Sequence, residues 1–266
     1  MFKTLKVLSW NIYMLPILTL MYGRRKRAYE IVEELKKTDF DIIVFQEAFF
    51  PAARNIIAKG ISTLYPYHYG PANNSWHIKS SSGVWILSKI ELKIVKVIQF
   101  KHSVDADKMA RKGAMLLEGS DNKHPFQLIA THLQASIDQQ ALRTEQLEMI
   151  YGELVAPFER PQVPQLICGD MNTRIEQQGY YEAMLQILNA YNGEISGPVK
   201  HTYNGFNNQL TRSTGFKDGT TTFDYILLRP NGTTIQNISR FVSVLKHNNN
   251  DLSDHYGLSC EIEWKA

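Results

Sequence analysis

Cysteine is almost missing from this chain of 266 residues: Cys168 and Cys260 are the whole complement, and they form no C-x-x-C pair. Counting alone therefore excludes a disulfide scaffold and a cysteine-built zinc module. Both thiols lie in apolar, strand-like runs, where a free cysteine packs as a small hydrophobe. Long hydrophobic runs are also lacking. The longest, Ile12–Tyr22, has eleven residues broken by Pro16 and Thr19, short of the roughly 20 that a spanning helix needs. There is no H-E-x-x-H motif, no repeat at solenoid spacing and no linker rich in Pro, Ser or Gly. An excess of one charge is absent as well. The 29 basic and 26 acidic residues leave +3, too mild to hold nucleic acid by bulk electrostatics.

Hydrophobic residues make up 44% and charged residues 21%, a balance that can bury a core and excludes disordered, collagen-like and coiled-coil chains. We expect a soluble globular protein, one domain over residues 1–266, monomeric. Lys3 and Lys6 before the apolar stretch imitate a signal peptide, but no small-x-small cleavage site follows. A cytoplasmic location is the default expectation, or a secreted one if a longer leader has been removed.

The spacing predicts strands over Lys6–Trp10, Asp41–Phe45, Val84–Ser88, Leu92–Phe100, Ala114–Glu118, Phe126–Thr131, Gln165–Cys168, Thr222–Arg229, Ile238–Lys246 and Gly257–Trp264. Helices are expected over Arg25–Lys37, Arg54–Leu64, Ala141–Phe158 and Tyr180–Leu188. Several strands follow one another directly, so the alternation of a Rossmann fold or barrel is absent. Two packed sheets flanked by helices suit this order.

Polar residues recur where the apolar strands end. Asn11 follows Val7–Trp10, Glu47 follows Ile42–Phe45, His132 follows Leu128–Thr131, and Asp170 and Asn172 follow Leu166–Cys168. Asp224 opens a strand, and Asp254 and His255 precede the last one. One such carboxylate is ordinarily a cap or a salt-bridge partner. Six such strand-end sites are most simply explained by convergence on one rim, because a buried charge is costly unless paired or metal-bound. The residue types suit metal-assisted phosphoester cleavage. Mg²⁺ takes a few oxygen ligands, a His backed by an Asp can accept a proton from water, and Asn and His can donate to phosphoryl oxygens.

At these residues the chain resembles the endonuclease/exonuclease/phosphatase superfamily. The motifs are S-W-N (Ser9–Asn11), Q-E (Gln46–Glu47), G-V-W-I-L-S (Gly83–Ser88), T-H-L (Thr131–Leu133), G-D-M-N (Gly169–Asn172), D-Y-I (Asp224–Ile226) and S-D-H (Ser253–His255), in family order. Within it, the chain is most similar to bacterial-type neutral sphingomyelinases. N-I-Y-M-L (Asn11–Leu15), T-H-L-Q-A (Thr131–Ala135), R-x-x-Q-L (Arg143–Leu147), Asp107 and Lys112 in D-K-M-A-R-K-G, and L-S-D-H-Y (Leu252–Tyr256) carry this likeness. The resemblance implies an α/β four-layer sandwich, two mixed β-sheets face to face with helices outside, of the DNase I type. It implies that Asn11, Glu47 and Asp254 serve Mg²⁺, with Mn²⁺ or Co²⁺ as substitutes. His255 becomes the general base oriented by Asp224. Asp170 positions water or stabilises charge, Asn172 and His132 contact the phosphate, and Lys112 approaches the substrate paired with Asp107. The implied reaction is hydrolysis of sphingomyelin to ceramide and phosphocholine. A nuclease, or a nucleotide or inositol-phosphate phosphoesterase, uses the same set, and a binding protein that lost catalysis is a further reading, against which the intact set stands.

One departure concerns the membrane. The secreted relatives carry an aromatic β-hairpin between the D-Y-I and S-D-H motifs, whereas Leu227–Leu252 holds one aromatic residue, Phe241, and a polar Asn248–Asn250 turn. Peripheral contact through Leu15–Arg27, where leucines adjoin the basic block Arg24–Arg27, is a replacement that suits an anionic lipid interface; packing of those leucines under the first helix is the plainer reading. Trp76, His77 and Trp85 offer a choline box by cation–π contact, or simply core and loop residues. His68, His102, His124, His201 and His247 lie outside the motifs and read as surface or satisfied histidines.

Overall fold

A computed structural model describes residues 4–15, 23–73, 80–121, 124–136, 138–211 and 219–265. Strands β1 (Thr4–Asn11), β2 (Ile42–Gln46), β3 (Tyr67–Tyr69) and β4 (Trp85–Ser88) come first, interleaved with helices α1 (Arg24–Leu35) and α2 (Pro51–Gly60). β5 (Leu92–Gln99), β6 (Gly113–Asp121) and β7 (His124–His132) follow, then α3 (Gln140–Ile150), β8 (Gln165–Asp170) and α4 (Gln178–Leu188). The last strands are β9 (Ile195–Ser196), β10 (Tyr203–Asn204), β11 (Thr220–Thr221), β12 (Asp224–Arg229), β13 (Thr234–Ser243), β14 (Lys246–His247), β15 (Asn250–Asp251) and β16 (Gly257–Lys265).

They build a seven-stranded sheet of order β3-β4-β2-β1-β16-β13-β9 and a five-stranded sheet of order β12-β8-β7-β6-β5. Both are mixed: β1 runs parallel to β2 and antiparallel to β16, and β8 runs parallel to β7 and antiparallel to β12. The period-2 alternation of strand side chains sorts the layers. Val7, Val44, Leu128, Cys168, Ile226 and Leu258 point into the space between the sheets and form the central core. Their neighbours point outward. Leu8, Ile43 and Phe45 meet Ala28, Ile31 and Leu35 of α1 and Ile57 of α2. On the other side Ile129, Ile167 and Leu227 meet Leu147 of α3 and Leu188 of α4. The result is the four-layer α/β sandwich that the family resemblance implied, its two packed sheets flanked by helices as the strand order suggested. Burying each large apolar side chain contributes about 1.5–3 kcal/mol, and being covered on both faces explains why these strands read as unbroken apolar runs.

Three elements differ from expectation. The second helix covers Pro51–Gly60 rather than Arg54–Leu64, because Pro51, with no N–H to lose and its φ already fixed, suits the first helical turn. The helix expected over Ala141–Phe158 is α-helical only to Ile150 and continues as a π turn (Tyr151–Val155) and a 3₁₀ turn (Ala156–Phe158); Pro157 cannot donate to the ladder there. The strand expected at Ile238–Lys246 begins at Thr234 and ends at Ser243, with a bulge between Ile235 and Asn237. Cys168 and Cys260 are free and buried, as their surroundings suggested. Trp85 belongs to the core, stacked on Phe45 with centroids 5.4 Å apart. It is no part of an aromatic box, and Trp76 and His77 lie outside the described residues.

Candidate active site

Strand direction explains where the polar residues go. β1, β2, β7 and β8 all end at one rim, and β12 and β16, antiparallel to their neighbours, start there. His132 pairs in register with Asp170, and Asp170 with Asp224. The two sheets meet at this rim: Asn11 Nδ2, from the seven-stranded sheet, donates to Asp170 Oδ2 of the other at 3.0 Å. The glycine of G-D-M-N permits this spacing. A Cβ on Gly169 would come within 2.0 Å of the Thr131 carbonyl oxygen in the parallel neighbour β7.

His255 is buried, its Nδ1 2.8 Å from Asp224 Oδ2 and its Nε2 3.9 Å from Asp170 Oδ2. Tyr203 packs edge-on against its ring at 5.4 Å. Burial opposes charge on this imidazole, but Asp224, Asp170 and Asp254 outweigh it and hold the His255 pKa well above the ordinary value. Burial, with Asp170 adding to it, also raises the Asp224 carboxyl.

His132 has the opposite environment. Lys112 Nζ lies 3.0 Å from its Nε2 and donates to Leu133 O at 2.8 Å. An ammonium has only donors, so Nε2 accepts and the ring proton of His132 sits on Nδ1. Burial, reinforced by Lys112 and His255, keeps His132 neutral, its pKa well below the usual one. Lys112 is itself buried and paired with Asp107 Oδ2 at 2.8 Å; the same Asp107 oxygen receives Ala135 N at 2.7 Å. Asn172 takes a left-handed backbone with φ 48°, directs its N–H to Asp170 Oδ1 (2.9 Å) and its amide to Leu133 O (3.1 Å).

Glu47 also has a positive φ, 53°, and as a residue is only half-buried, yet its Oε2 is enclosed and meets no hydrogen-bond partner. Burial and the neighbouring Asp254 push its carboxyl up to about 8. Burial raises Asp254 too, offset in part by His255 and Arg27. Two carboxylates that raise one another's cost of ionisation, one with an orphaned oxygen, form an arrangement a cation completes. Asn11 Oδ1 accepts from Tyr13 N at 3.1 Å, one lone pair remaining. In a second donor group, Asp170, Asp224 and His255, the ligand atoms lie within 4.8 Å of one another among the described residues; Asp224 Oδ2 meets His255 Nδ1 at 2.8 Å, while Asp224 Oδ1 is buried without a hydrogen-bond partner.

Sequence reasoning missed Thr202 and Asn208 among the side chains that hold these loops, and marked Arg27 and Arg143 only as parts of motifs, without this role. Buried Arg27 donates to Ile12 O (3.1 Å), Tyr13 O (2.6 Å) and Leu252 O (2.7 Å), tying the segment after Asn11 to the one before Asp254. Asn208 Nδ2 holds Ser253 O at 2.8 Å, Thr202 Oγ1 receives Phe223 N at 3.2 Å, and Arg143 binds Gln134 O and Ser136 O at 3.0 and 2.7 Å. The basic block is thereby split, contrary to its reading as one lipid-facing cluster. Arg27 points inward to satisfy carbonyls, and Arg24 caps Leu15 O at 2.7 Å and lies over Phe50 at 4.0 Å, leaving Arg25 and Lys26 exposed. Residues 16–22, with the leucines of the suggested contact, lie outside the described residues. Between the D-Y-I and S-D-H motifs, β14 and β15 form a short ribbon turned by Asn248 and Asn249.

Comparison with known proteins identifies the family and the fold. The profile of the Endonuclease/Exonuclease/phosphatase family matches residues 8–255. Sphingomyelinase C of Leptospira interrogans is 30% identical over 230 residues, covering 77% of this chain and 40% of that protein. The chain thus spans about 40% of the length of this curated relative. In fold it is similar to a Staphylococcus aureus beta toxin double mutant with bound magnesium ions (TM-score 0.86, 22% identity, 97% of this chain and 99% of that one). A beta toxin mutant lacking a β hairpin is comparably similar (TM-score 0.82, 24% identity, 95% and 96%).

Proposed function

The chain belongs to the endonuclease/exonuclease/phosphatase family, and from that membership we propose a metal-dependent phosphodiesterase that hydrolyses a phospholipid, sphingomyelin first, to ceramide and phosphocholine. The observation that carries the chemistry is the meeting of Asn11, Glu47, Asp254 and His255 from one sheet with His132, Asp170, Asn172 and Asp224 from the other. The sphingomyelinase-type motifs and the Leptospira relative support the lipid headgroup.

Glu47, Asp254 and the Asn11 amide oxygen are the proposed cation ligands: Glu47 Oε2 is buried and unsatisfied, and among the described residues Glu47, unlike Asp224, makes no bond to a histidine. A divalent ion held there, Mg²⁺ before Mn²⁺ or Co²⁺, would supply charge to offset the phosphoryl oxygens in the transition state and would oppose the carboxylate field around His255, the residue proposed as the base. Asp224 holds Nδ1, which leaves Nε2 to take the proton of the attacking water, and Asp170 orients that water. Lys112 keeps the proton of His132 on Nδ1, and this N–H with the Asn172 amide stabilises developing charge on the phosphate.

Contact with the bilayer through Leu15–Arg27 remains part of the proposal, now resting on Arg25, Lys26 and the apolar residues before them. The expectation of a cytoplasmic protein finds no support among the relatives. Similarity to a toxin favours export instead.

The test is parallel turnover on sphingomyelin vesicles, phosphatidylcholine vesicles, a nicked duplex and a soluble phosphodiester, with and without Mg²⁺. Metal-dependent release of phosphocholine from sphingomyelin is the expected result. Cleavage of the duplex alone rejects the lipid substrate in favour of a nuclease.

A further inference from the structure

Residues 101–111 join β5 to β6 as a strap, closed at its base by Phe100 N, which donates to Lys112 O at 3.0 Å. Its middle is a short 3₁₀ turn, Asp105–Met109, opened by Val104. Much of the strap is exposed, so burial alone does not fix its course. The segment after β7 does so, residue by residue. His132 Nε2 and Leu133 O meet Lys112 Nζ at 3.0 and 2.8 Å. Ala135 N donates to Asp107 Oδ2 at 2.7 Å, and Ser136 Oγ to Asp105 Oδ2 at 3.1 Å. Asp105 and Ser136 both have positive φ, 51° and 74°, a backbone that only the surrounding contacts can hold in residues other than glycine.

Gln134 stands in the middle of this lacing and is wholly buried. Its Oε1 accepts from Val104 N at 3.1 Å, and its Nε2 donates to Val104 O at 3.3 Å and to Ala135 O at 3.1 Å. The side-chain amide thus pairs with both backbone groups of one residue, as a neighbouring strand would. Val104 O also accepts from Asp107 N at 3.1 Å, so the clasp sits on the bond that turns the strap toward Asp107. The backbone of Gln134 is anchored in turn by α3: its N–H goes to Gln146 Oε1 at 2.8 Å, and its carbonyl accepts from Arg143 Nη1 at 3.0 Å. A line of contacts therefore runs from α3 through the Gln134 amide to Val104, and along the turn to Asp107 and the Lys112 ammonium. That ammonium has an acceptor for each of its protons, Asp107 Oδ2 at 2.8 Å, Leu133 O and His132 Nε2. A drift of Asp107 shifts the ammonium, and with it the bond that fixes the His132 tautomer.

We propose that Gln134 is a positioning residue of the site: its amide clasps the strap at Val104 and so sets Asp107 and the Lys112 ammonium against His132. The step from this geometry to rate rests on the part proposed above for Lys112 and His132.

Reductive methylation of the full chain without metal, followed by peptide mass spectrometry, reads the lysine directly, with the exposed Lys36 as reference. Lys112, 3% exposed, should label slowly in the parent protein and about tenfold faster in Gln134→Met, which keeps the volume and removes the side-chain hydrogen bonds. Gln134→Asn, whose amide is one methylene too short for Val104, repeats the gain should Gln134→Met fold poorly. On bis(p-nitrophenyl) phosphate at saturating Mg²⁺, Gln134→Met should lower kcat by about 10–10²-fold with KM little changed. In a Lys112→Met background the same change should cost almost nothing further, since the two residues act in series. Unchanged Lys112 labelling in both Gln134 variants overturns the proposal. So does an equal loss of kcat in both backgrounds, which is the mark of packing alone. Faster labelling beside full turnover in Lys112→Met upholds the clasp and refutes instead the part given to Lys112.

Discussion

His255 Nδ1 and Asp224 Oδ2 lie 2.8 Å apart, both residues buried, and they reach this contact from the segment before β16 and the first position of β12. If His255 is the base and Asp224 its support, His255→Ala lowers kcat on a soluble phosphodiester by about 10²–10⁴-fold. Asp224→Asn lowers it too, and the double variant is little worse than His255→Ala alone, since the two act as a unit. Additive losses measured in steady-state assays at saturating metal would contradict the pairing.

Metal binding is expected to depend on pH through Glu47. Its folded pKa, about 8, lies above the ordinary carboxylate value. Between those values the metal-free folded protein keeps a proton that the unfolded chain has released, so this group's contribution to stability falls as pH rises toward 8. A cation needs the ionised carboxylate and must expel that proton at lower pH. The rise in Tm on adding excess Mg²⁺ should therefore be larger at pH 8 than at pH 6 by differential scanning fluorimetry. Glu47→Gln should remove most of the rise at both.

Arg27 is a positioning residue on this geometry. Arg27→Met leaves the carbonyls of Ile12, Tyr13 and Leu252 without their donor, at about 1–3 kcal/mol for each unsatisfied group before relaxation. Beyond a lower Tm, the variant should need more Mg²⁺ for half-maximal rate, with kcat largely recovered at saturating metal, and Arg27→Lys should recover part of the affinity. A fall in stability with an unchanged metal requirement reduces Arg27 to a packing role.

Gly169→Ala tests the close approach of β7 and β8. The added methyl group forces Thr131 and its neighbours outward, and His132 and Asp170 move with them. Loss of turnover well beyond the loss of stability is the expected result, measured as kcat beside a urea unfolding curve.

Both thiols should resist modification. Burial pushes Cys260 up to about 11 and Cys168 well above its usual value. At pH 8 the Cys260 thiolate is then about one part in a thousand of the total. A disulfide reagent should report no free thiol in the folded protein and both in guanidinium; rapid native labelling of either sulfur argues against its place in the central layer.

The strands and their terminal polar residues were legible because sandwiched strands leave continuous apolar runs, and Asn11, Glu47, Asp170 and His255 stand directly beside them. Two-residue strands such as β9, β10 and β11 were not, since they are too short to display a period. Nor were Arg27, Thr202 and Asn208. Their partners are backbone groups on loops up to 225 positions away, a relation that no local pattern records. The π turn at Tyr151–Val155 was hidden for a similar reason: its side chains keep a helical rhythm while the backbone ladder changes.

The central layer between the sheets does more than hold the protein together. Half of the proposed reacting set hangs from one slab and half from the other, and interleaved side chains such as Val7, Leu128 and Ile226 fix how the slabs are aligned. Shaving a methyl group from that midplane lets one slab slide slightly on its partner. Catalytic rate responds to displacements too small to alter buried area appreciably, so turnover would register damage deep in the interior before a melting curve did.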